Sequence, residues 1–420
     1  MVGGWPGRRF RNWPGLRSEI MLANALLLQL GYNATLVAIG AALLGVAAGV
    51  TGTFLFLRKR ALVSDAISHA TLPGVGIAFM VMVALGGDGR WLPGLLIGSA
   101  LSAWIGLICV SLLTRKTRLA EDAAIGAVLS VFFGFGIVLL TIIQTMTSGR
   151  QAGLDSFLLG STAGMLYSDA LVIAVGGALA VLAVLILRRP LTLVTFDPEF
   201  AQSTGVDVHR IDLAMMGLVM AVTVVGLKIV GLILIVALLI IPAVTARFWT
   251  NRTEVMVLLA GTMGGLSGYI GAAVSATAPA LPTGPIIVLV AFVMFAISLL
   301  VAPERGILAA ILRHRRFQGR VHLRQGLLAL AQGQPIYEKL TLRLLRRAGY
   351  LRHDGVATDA GRARAAKALR DEKRWDIVRS EERHEAAAAL YDGLRDIETV
   401  LTADQIEELD RRIGGPVGVA

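Results

Sequence analysis

Long apolar stretches separated by short polar connections dominate the first 300 residues of the chain. An α-helix needs about 20 consecutive apolar residues to cross the hydrocarbon core of a bilayer. Nine stretches reach or approach that length, which predicts an all-α polytopic membrane domain with about nine transmembrane helices. They cover residues 33–57, 65–85, 92–114, 122–146, 165–187, 211–227, 229–248, 255–276 and 284–302. The second stretch is weakened by Asp65 and His69, and the sixth by its short length.

The distribution of charge divides the chain into two parts. Residues 1–302 carry 30 charged side chains, whereas residues 303–420 carry 39. We therefore predict an N-terminal interfacial segment at 1–32, a transmembrane domain at 33–303 and a soluble domain at 304–420. For the whole chain, 55% hydrophobic and only 16% charged residues argue against an ordinary soluble enzyme.

Basic residues cluster after alternate apolar stretches, as in Arg58-Lys59-Arg60, Arg115-Lys116 and Arg188-Arg189. Because cytoplasmic loops of membrane proteins are enriched in lysine and arginine, these ends are predicted to be cytoplasmic. The soluble domain after the ninth stretch is then cytoplasmic as well. The arginine-bearing N-terminus conflicts with this orientation, which is why it is predicted to lie along the interface.

Asp65 and His69 are the most informative residues, because ionisable groups inside a span are costly and mark functional sites. Their i, i+4 spacing places them on one helix face. They form either part of a metal site or a hydrogen-bonded pair at the start of a helix. A dimer would supply two carboxylates and two imidazoles, a set that suits manganese, zinc or ferrous iron. Pro73 and Gly74 follow closely, and they predict a break in this helix.

A polar stretch at 191–212 is predicted to be cytoplasmic. Asp197 followed by Pro198 is typical of a helix start, and Gly205 of a helix end. The pattern predicts a short helix of about two turns, which is either a docking element or part of a solvated loop.

Pairs of glycines four residues apart allow close helix contact in membranes, where apolar lipid does not drive helices together. The pairs are Gly45 with Gly49, Gly261 with Gly265, and Gly264 with Gly268. We interpret them as ordinary packing within the chain.

Several separated motifs resemble the membrane subunit of ABC transporters for zinc, manganese and iron. They include SDAISHATLPGVGIAF at 64–79, FDPEFAQSTGV at 196–206 and GLILIVALLIIPAVTAR at 231–247. The resemblance implies a permease of the vitamin-B12-importer type that works as a dimer. It implies that Asp65 and His69 coordinate the passing metal. The residues implied to couple the permease to an ATPase are Asp197, Glu199, Ala201 and Gly205.

The resemblance also implies partners. The chain has no GxxxxGK[ST] phosphate loop, so ATP hydrolysis is expected on a separate cytoplasmic ATPase and the chain is not expected to be an enzyme. An extracytoplasmic metal-binding protein and a second permease, identical or paralogous, are implied. Manganese, zinc or iron is the transported ion, and no permanently bound cofactor is expected. A siderophore or cobalamin permease of the same fold is the alternative.

The sequence of the soluble domain predicts two helices at 321–332 and 336–348. It further predicts a pair of extended segments around Asp354-Gly355 and a helix from Thr358. This order of helices and strands resembles metal-dependent winged-helix repressors, as does the segment LRLLRRAGYLRHDGVATDAGRARAAKALRDEKRW. The resemblance implies an α+β winged-helix-like domain. Arg395, Glu398 and Thr399 stand where that family has its E-x-x-E-H metal ligands, so two of three ligands are lost. Protein contacts are favoured over DNA binding, and a membrane-tethered metal-responsive regulator is the corresponding alternative.

Overall fold

The computed structural model describes residues 31–87, 89, 91–146, 167–277, 281–380 and 385–414. The chain divides into two compact units between Ile307 and Leu308. Nearly all of the predicted interfacial segment 1–32 lies outside the described residues. The predicted regions at 1–32, 33–303 and 304–420 stay predictions.

The described part of the first unit contains ten helices, joined by short connections. They are α1 (Tyr32–Leu57), α2 (Ala61–Ala84), α3 (Leu92–Lys116), α4 (Glu121–Thr145), α5 (Tyr167–Phe196), α6 (Pro198–Ser203), α7 (Val208–Val230), α8 (Leu232–Arg247), α9 (Thr253–Ser275) and α10 (Thr283–Val301). Eight of them are long and apolar enough to cross a membrane. The seventh predicted stretch, 229–248, forms α8, which has only 16 residues. The predicted all-α polytopic membrane fold is thus confirmed, with eight full-length spans and one shorter helix in the described part.

Helix α1 lies at the centre of this unit and packs against α5, α7, α8 and α9. Its closest contact is with α9, where glycines bring the two backbones together. A Cβ atom added to Gly45 would lie 2.1 Å from the carbonyl oxygen of Gly264, and one added to Gly268 would lie 2.2 Å from that of Ala41. The glycine pairs therefore serve packing within the chain, as predicted.

The outer helices leave many large apolar side chains exposed. Helix α3 exposes Ile97, Leu101 and Ile105, and α4 exposes Val131 and Val138. A water-soluble unit does not leave such continuous apolar faces uncovered. These faces are the surfaces that lipid or another membrane helix covers.

Helix α2 is continuous through Pro73 and Gly74, so the predicted break at these residues is wrong. Proline removes one backbone hydrogen bond, but close packing against neighbouring helices keeps the chain helical at this point. A Cβ atom on Gly74 would lie 2.1 Å from the carbonyl oxygen of Gly98 in α3, and one on Gly136 of α4 would lie 2.6 Å from the Leu72 side chain. Neighbouring helices thus hold α2 on both sides of the proline.

Helix α5 also runs past its predicted end at residue 187, through Pro190 to Phe196. Leu191 and Val194 in this extension are buried. Their packing offsets the single hydrogen bond that Pro190 removes, and the polar stretch begins six residues later than the sequence pattern predicts.

The described part of the second unit is mostly helical. Its helices are α11 (Ile307–Ala331), α12 (Lys339–Arg347), α13 (Asp359–Ser380), α14 (Glu385–Ala388) and α15 (Ala403–Gly414). The predicted extended pair is present as a single antiparallel bridge between Leu351 and Ala357, with Gly355 at φ +85° in the turn. Thr358 caps α13 by accepting a hydrogen bond from the Gly361 amide at 3.0 Å. The winged-helix likeness of this unit stays a prediction.

Candidate metal site and coupling segment

Asp65 and His69 lie one turn apart on α2, as their spacing predicts. The Nε2 atom of His69 is 3.4 Å from Oδ1 of Asp65. The Asp65 side chain is 40% exposed and that of His69 is 17% exposed. Since α2 begins at Ala61, the two residues lie roughly 6 and 12 Å from its first residue along the helix axis. The pair therefore lies in the half of α2 next to its predicted cytoplasmic end, with Asp65 nearer that end and His69 nearer the middle of the helix.

The imidazole of His69 is held from the side by an aromatic ring of the next helix but one. Phe133 of α4 contacts it edge-on, with ring centroids 5.0 Å apart. The Nδ1 atom of His69 is buried and has no hydrogen-bond partner among the described residues. The ring thus presents Nε2 to Asp65 and to the exposed side of the pair.

Within the described residues, no group of three or more histidine, cysteine, aspartate or glutamate side chains could hold a metal ion. Asp65 and His69 supply one oxygen and one nitrogen ligand, which suits divalent manganese, zinc or iron. Pro73 has no N–H to donate to the carbonyl of His69, so that carbonyl lacks its usual helical partner. The described part of one chain therefore provides an incomplete coordination sphere.

A partly buried ion-pair network lies at the start of α2 and joins five helices. Arg58, which follows α1, donates to both carboxylate oxygens of Asp212 in α7 at 2.6 Å. It also donates to the carbonyl oxygen of Val194 in α5 at 2.8 Å. Arg60, before α2, lies 3.1 Å from Asp212 and 3.0 Å from Glu121 of α4. The sequence analysis missed this network, because its partners are up to 154 residues apart.

The predicted short helix in the polar stretch is present as α6. Asp197 caps it, with Oδ1 accepting from the Phe200 amide at 2.9 Å, and Pro198 occupies its first turn. Gly205 ends it with φ +83°, a conformation that favours glycine. The local prediction is confirmed, while the coupling role stays a prediction.

The residues predicted to act in coupling differ in their exposure. Glu199 and Gly205 are exposed, whereas Ala201 is fully buried against the unit. Two aromatic residues that the sequence analysis did not select, Phe196 and Phe200, are exposed on this segment. Exposed aromatic side chains are typical anchors of protein–protein contacts.

The predicted remnant of a metal site in the second unit is occupied by an ion pair. Nζ of Lys367 lies 2.9 Å from Oε1 of Glu398. The hydrogen bond from Lys367 lowers the pKa of the Glu398 carboxyl. The lysine ammonium thus meets the one carboxylate that remains, and the loss of the metal ligands stays a prediction.

Taken together, the spans and the ionisable pair define a polytopic membrane permease. Residues 32–302 match the ABC 3 transport family, and the chain belongs to that family as a permease subunit. The manganese transport system membrane protein MntC of Bacillus subtilis is 42% identical over 319 residues, covering 76% of this chain and 72% of the relative. The zinc transport system membrane protein TroC of Treponema pallidum is 40% identical over 285 residues, covering 68% and 94%.

Solved structures agree with this assignment. PsaBC from Streptococcus pneumoniae in complex with Fab is similar with a TM-score of 0.59 and 29% identity, covering 68% of this chain and 97% of the other. An inward-facing metal-chelate type ABC transporter is similar with a TM-score of 0.53, covering 68% of this chain and 99% of the other. At 17% identity, the second likeness shows the fold alone.

Proposed function

We propose that this chain is the permease of an ATP-driven importer of divalent manganese or zinc, in which Asp65 and His69 bind the passing ion. The observation that carries the proposal is the pair itself. An aspartate and a histidine face each other at 3.4 Å on a membrane helix, and both side chains keep access to the exterior of the unit. Relatives that transport manganese and zinc support the choice of ion.

The incomplete ligand set supports a paired permease. Two protein ligands from one chain leave positions open, and a second copy or a paralogue facing α2 and α4 would fill them. The exposed apolar face of α4 beside Phe133 offers a surface for that contact. An open, shared site suits a cargo ion, which must be released as well as bound.

The segment from Asp197 to Gly205 is proposed to dock into a separate ATPase subunit. Its cap and its glycine end fix a short helix rigidly at the end of α5, and Phe200 projects from it as an apolar anchor. Movement of α6 would reach α5 directly, and through the carbonyl of Val194 it would reach Arg58 and α7. This is a continuous path from the docking segment to the start of α2.

The remaining partners follow from the same proposal. An extracytoplasmic metal-binding protein would deliver the ion, and the second unit would lie in the cytoplasm, as the basic connections indicate. A winged-helix-like second unit would make protein contacts there rather than bind DNA. The alternative of a siderophore or cobalamin permease is not favoured, because a large organic ligand does not require the Asp65–His69 pair.

Metal uptake by variants of the assembled transporter tests the site. Asp65→Asn and His69→Gln should each lower uptake of radioactive manganese or zinc by more than about a hundredfold, because even outer partners of metal ligands contribute 10- to 100-fold. Asp122→Asn and His314→Gln are matched controls, since both residues are exposed and neither belongs to α2. Parallel assays with manganese and zinc identify the preferred ion.

The same assay separates binding from coupling. Phe200→Ala should reduce both uptake and metal-stimulated ATP hydrolysis while leaving metal binding by the permease unchanged. Wild-type uptake by both site variants, at normal protein levels, would refute the proposed metal site.

A further inference from the structure

A cleft of about 790 Å³ opens where α1, α5 and the start of α9 meet. This volume lies within the range of small-molecule sites, about 300–1,000 Å³. Its inner wall is apolar and includes Phe54, Val184 and Leu185. Its rim carries three arginines, Arg188 and Arg189 of α5 and Arg252 immediately before α9.

The rim has uncompensated positive charge. Two carboxylates also line the cleft: Glu254, 3.7 Å from Arg188, and Asp197, which caps α6, so the three arginines leave a net charge of +1. Neither Arg189 nor Arg252 has a carboxylate within 4.0 Å among the described residues. The amino end of the 23-residue helix α9 adds partial positive charge at the same place.

The order of these groups along α5 indicates what the cleft accommodates. Val184 and Leu185 lie within the apolar span, one turn before the arginines that mark its predicted cytoplasmic end. A ligand that reaches both levels needs an anionic head and an apolar chain. A protein side chain arriving from the cytoplasm would meet the arginines but would not extend to hydrocarbon depth.

We propose that this cleft binds an anionic phospholipid, with its phosphate against Arg189 and Arg252 and an acyl chain along Val184 and Leu185. Basic pockets between transmembrane helices on the cytoplasmic side are suited to such head groups. The lipid would stand directly behind Asp197, the residue that caps α6. This proposal does not require the metal site.

Native mass spectrometry of the purified full chain in detergent tests the proposal, with phosphatidylglycerol titrated against phosphatidylcholine. The wild-type chain should retain phosphatidylglycerol selectively. The double variant Arg189→Gln with Arg252→Gln should bind it about thirtyfold more weakly, as expected from two arginines facing an anionic lipid. Lys116→Gln with Arg118→Gln is the matched control, because it removes two charges from the same predicted side, outside the cleft.

A third variant distinguishes a lipid from a free anion. Leu185→Trp fills the apolar part of the cleft and leaves the arginines in place, so it should also lose the phospholipid. Inorganic phosphate that competes equally well, or binding that survives Leu185→Trp, would overturn the lipid proposal in favour of an anion site. Equal binding by the cleft and control double variants would overturn it outright. If the cleft double variant binds phosphatidylglycerol normally but no longer co-purifies with its ATPase, the lipid proposal is overturned and the cleft contacts a protein instead.

Discussion

The contact between α1 and α9 predicts a large effect from one added methyl group. In Gly264→Ala, the new Cβ atom would lie 2.1 Å from the carbonyl oxygen of Gly45, about 1 Å closer than such atoms normally approach. The neighbour is backbone, so no side-chain rotation relieves the overlap and the helices must separate. Overpacking typically costs about 1–3 kcal/mol. We expect a loss near the upper end, about 3 kcal/mol, because packing rather than lipid exclusion holds membrane helices together.

The measurement is the thermal unfolding of the full chain in detergent, monitored by the loss of the helical circular dichroism signal. The apparent Tm of Gly264→Ala should fall by about 5–10 °C. Gly217→Ala in α7 is the matched control, because its new Cβ atom would meet no atom within 4 Å. Alanine is the better helix former by up to about 1 kcal/mol, so this variant should be as stable as the wild type or more so. The packing argument fails if Gly264→Ala keeps the wild-type Tm, or if both variants lose stability equally.

Two further predictions concern ion pairs. Asp212→Asn removes the charge that pairs with Arg58, and both side chains are only 14% exposed. The substitution should lower the free energy of unfolding by about 2 kcal/mol, seen as an apparent Tm about 5 °C lower. An unchanged Tm would contradict this prediction. In the second unit, the hydrogen bond from Arg374 lowers the pKa of Asp410 in the folded state. Its stabilising contribution is therefore present above the ordinary aspartate pKa of about 3.9 and is lost as the pH falls through the lower folded value. Asp410→Asn should thus weaken hydrogen-exchange protection around Leu409 at pH 7, and its difference from the wild type should shrink as the pH falls below about 3.9. A difference that does not change with pH would be inconsistent with this assignment.

The fold could be predicted from the sequence as far as hydropathy determines it. Each predicted span corresponds to a helix, because lipid requires every backbone group to be paired within the segment. The ends of the helices were less predictable. Pro73 predicts a local break and the fifth stretch is predicted to end at residue 187, but Pro73 and Pro190 both lie inside continuous helices. Their cost is one hydrogen bond each, and the packing that offsets it depends on residues far away in the sequence.

The candidate site was predictable where it depends on neighbours along one helix. Asp65 and His69 meet because residues four apart share a helix face, and Asp197 and Gly205 bound α6 through local capping. Phe133 was not predictable as the ring beside His69, since nothing in a single sequence relates α4 to α2. The same holds for Arg58 and Asp212, whose contact depends on the assembled bundle.

The environment of His69 bears on how tightly the proposed site could hold its ion. Metal-ligating histidines almost always donate their second ring N–H to an oxygen, which raises the basicity of the ligating nitrogen. If Nε2 binds the ion next to Asp65, the proton must be on Nδ1, which is buried without a partner among the described residues. Nδ1 is unpaired in either neutral tautomer, as an acceptor when the proton is on Nε2 and as a donor when Nε2 binds the ion. Among the described residues, no oxygen therefore accepts its proton to raise the basicity of Nε2. A storage or structural site would be poorly served by such a ligand. A transport site gains from it, because the ion that arrives through the permease must also leave.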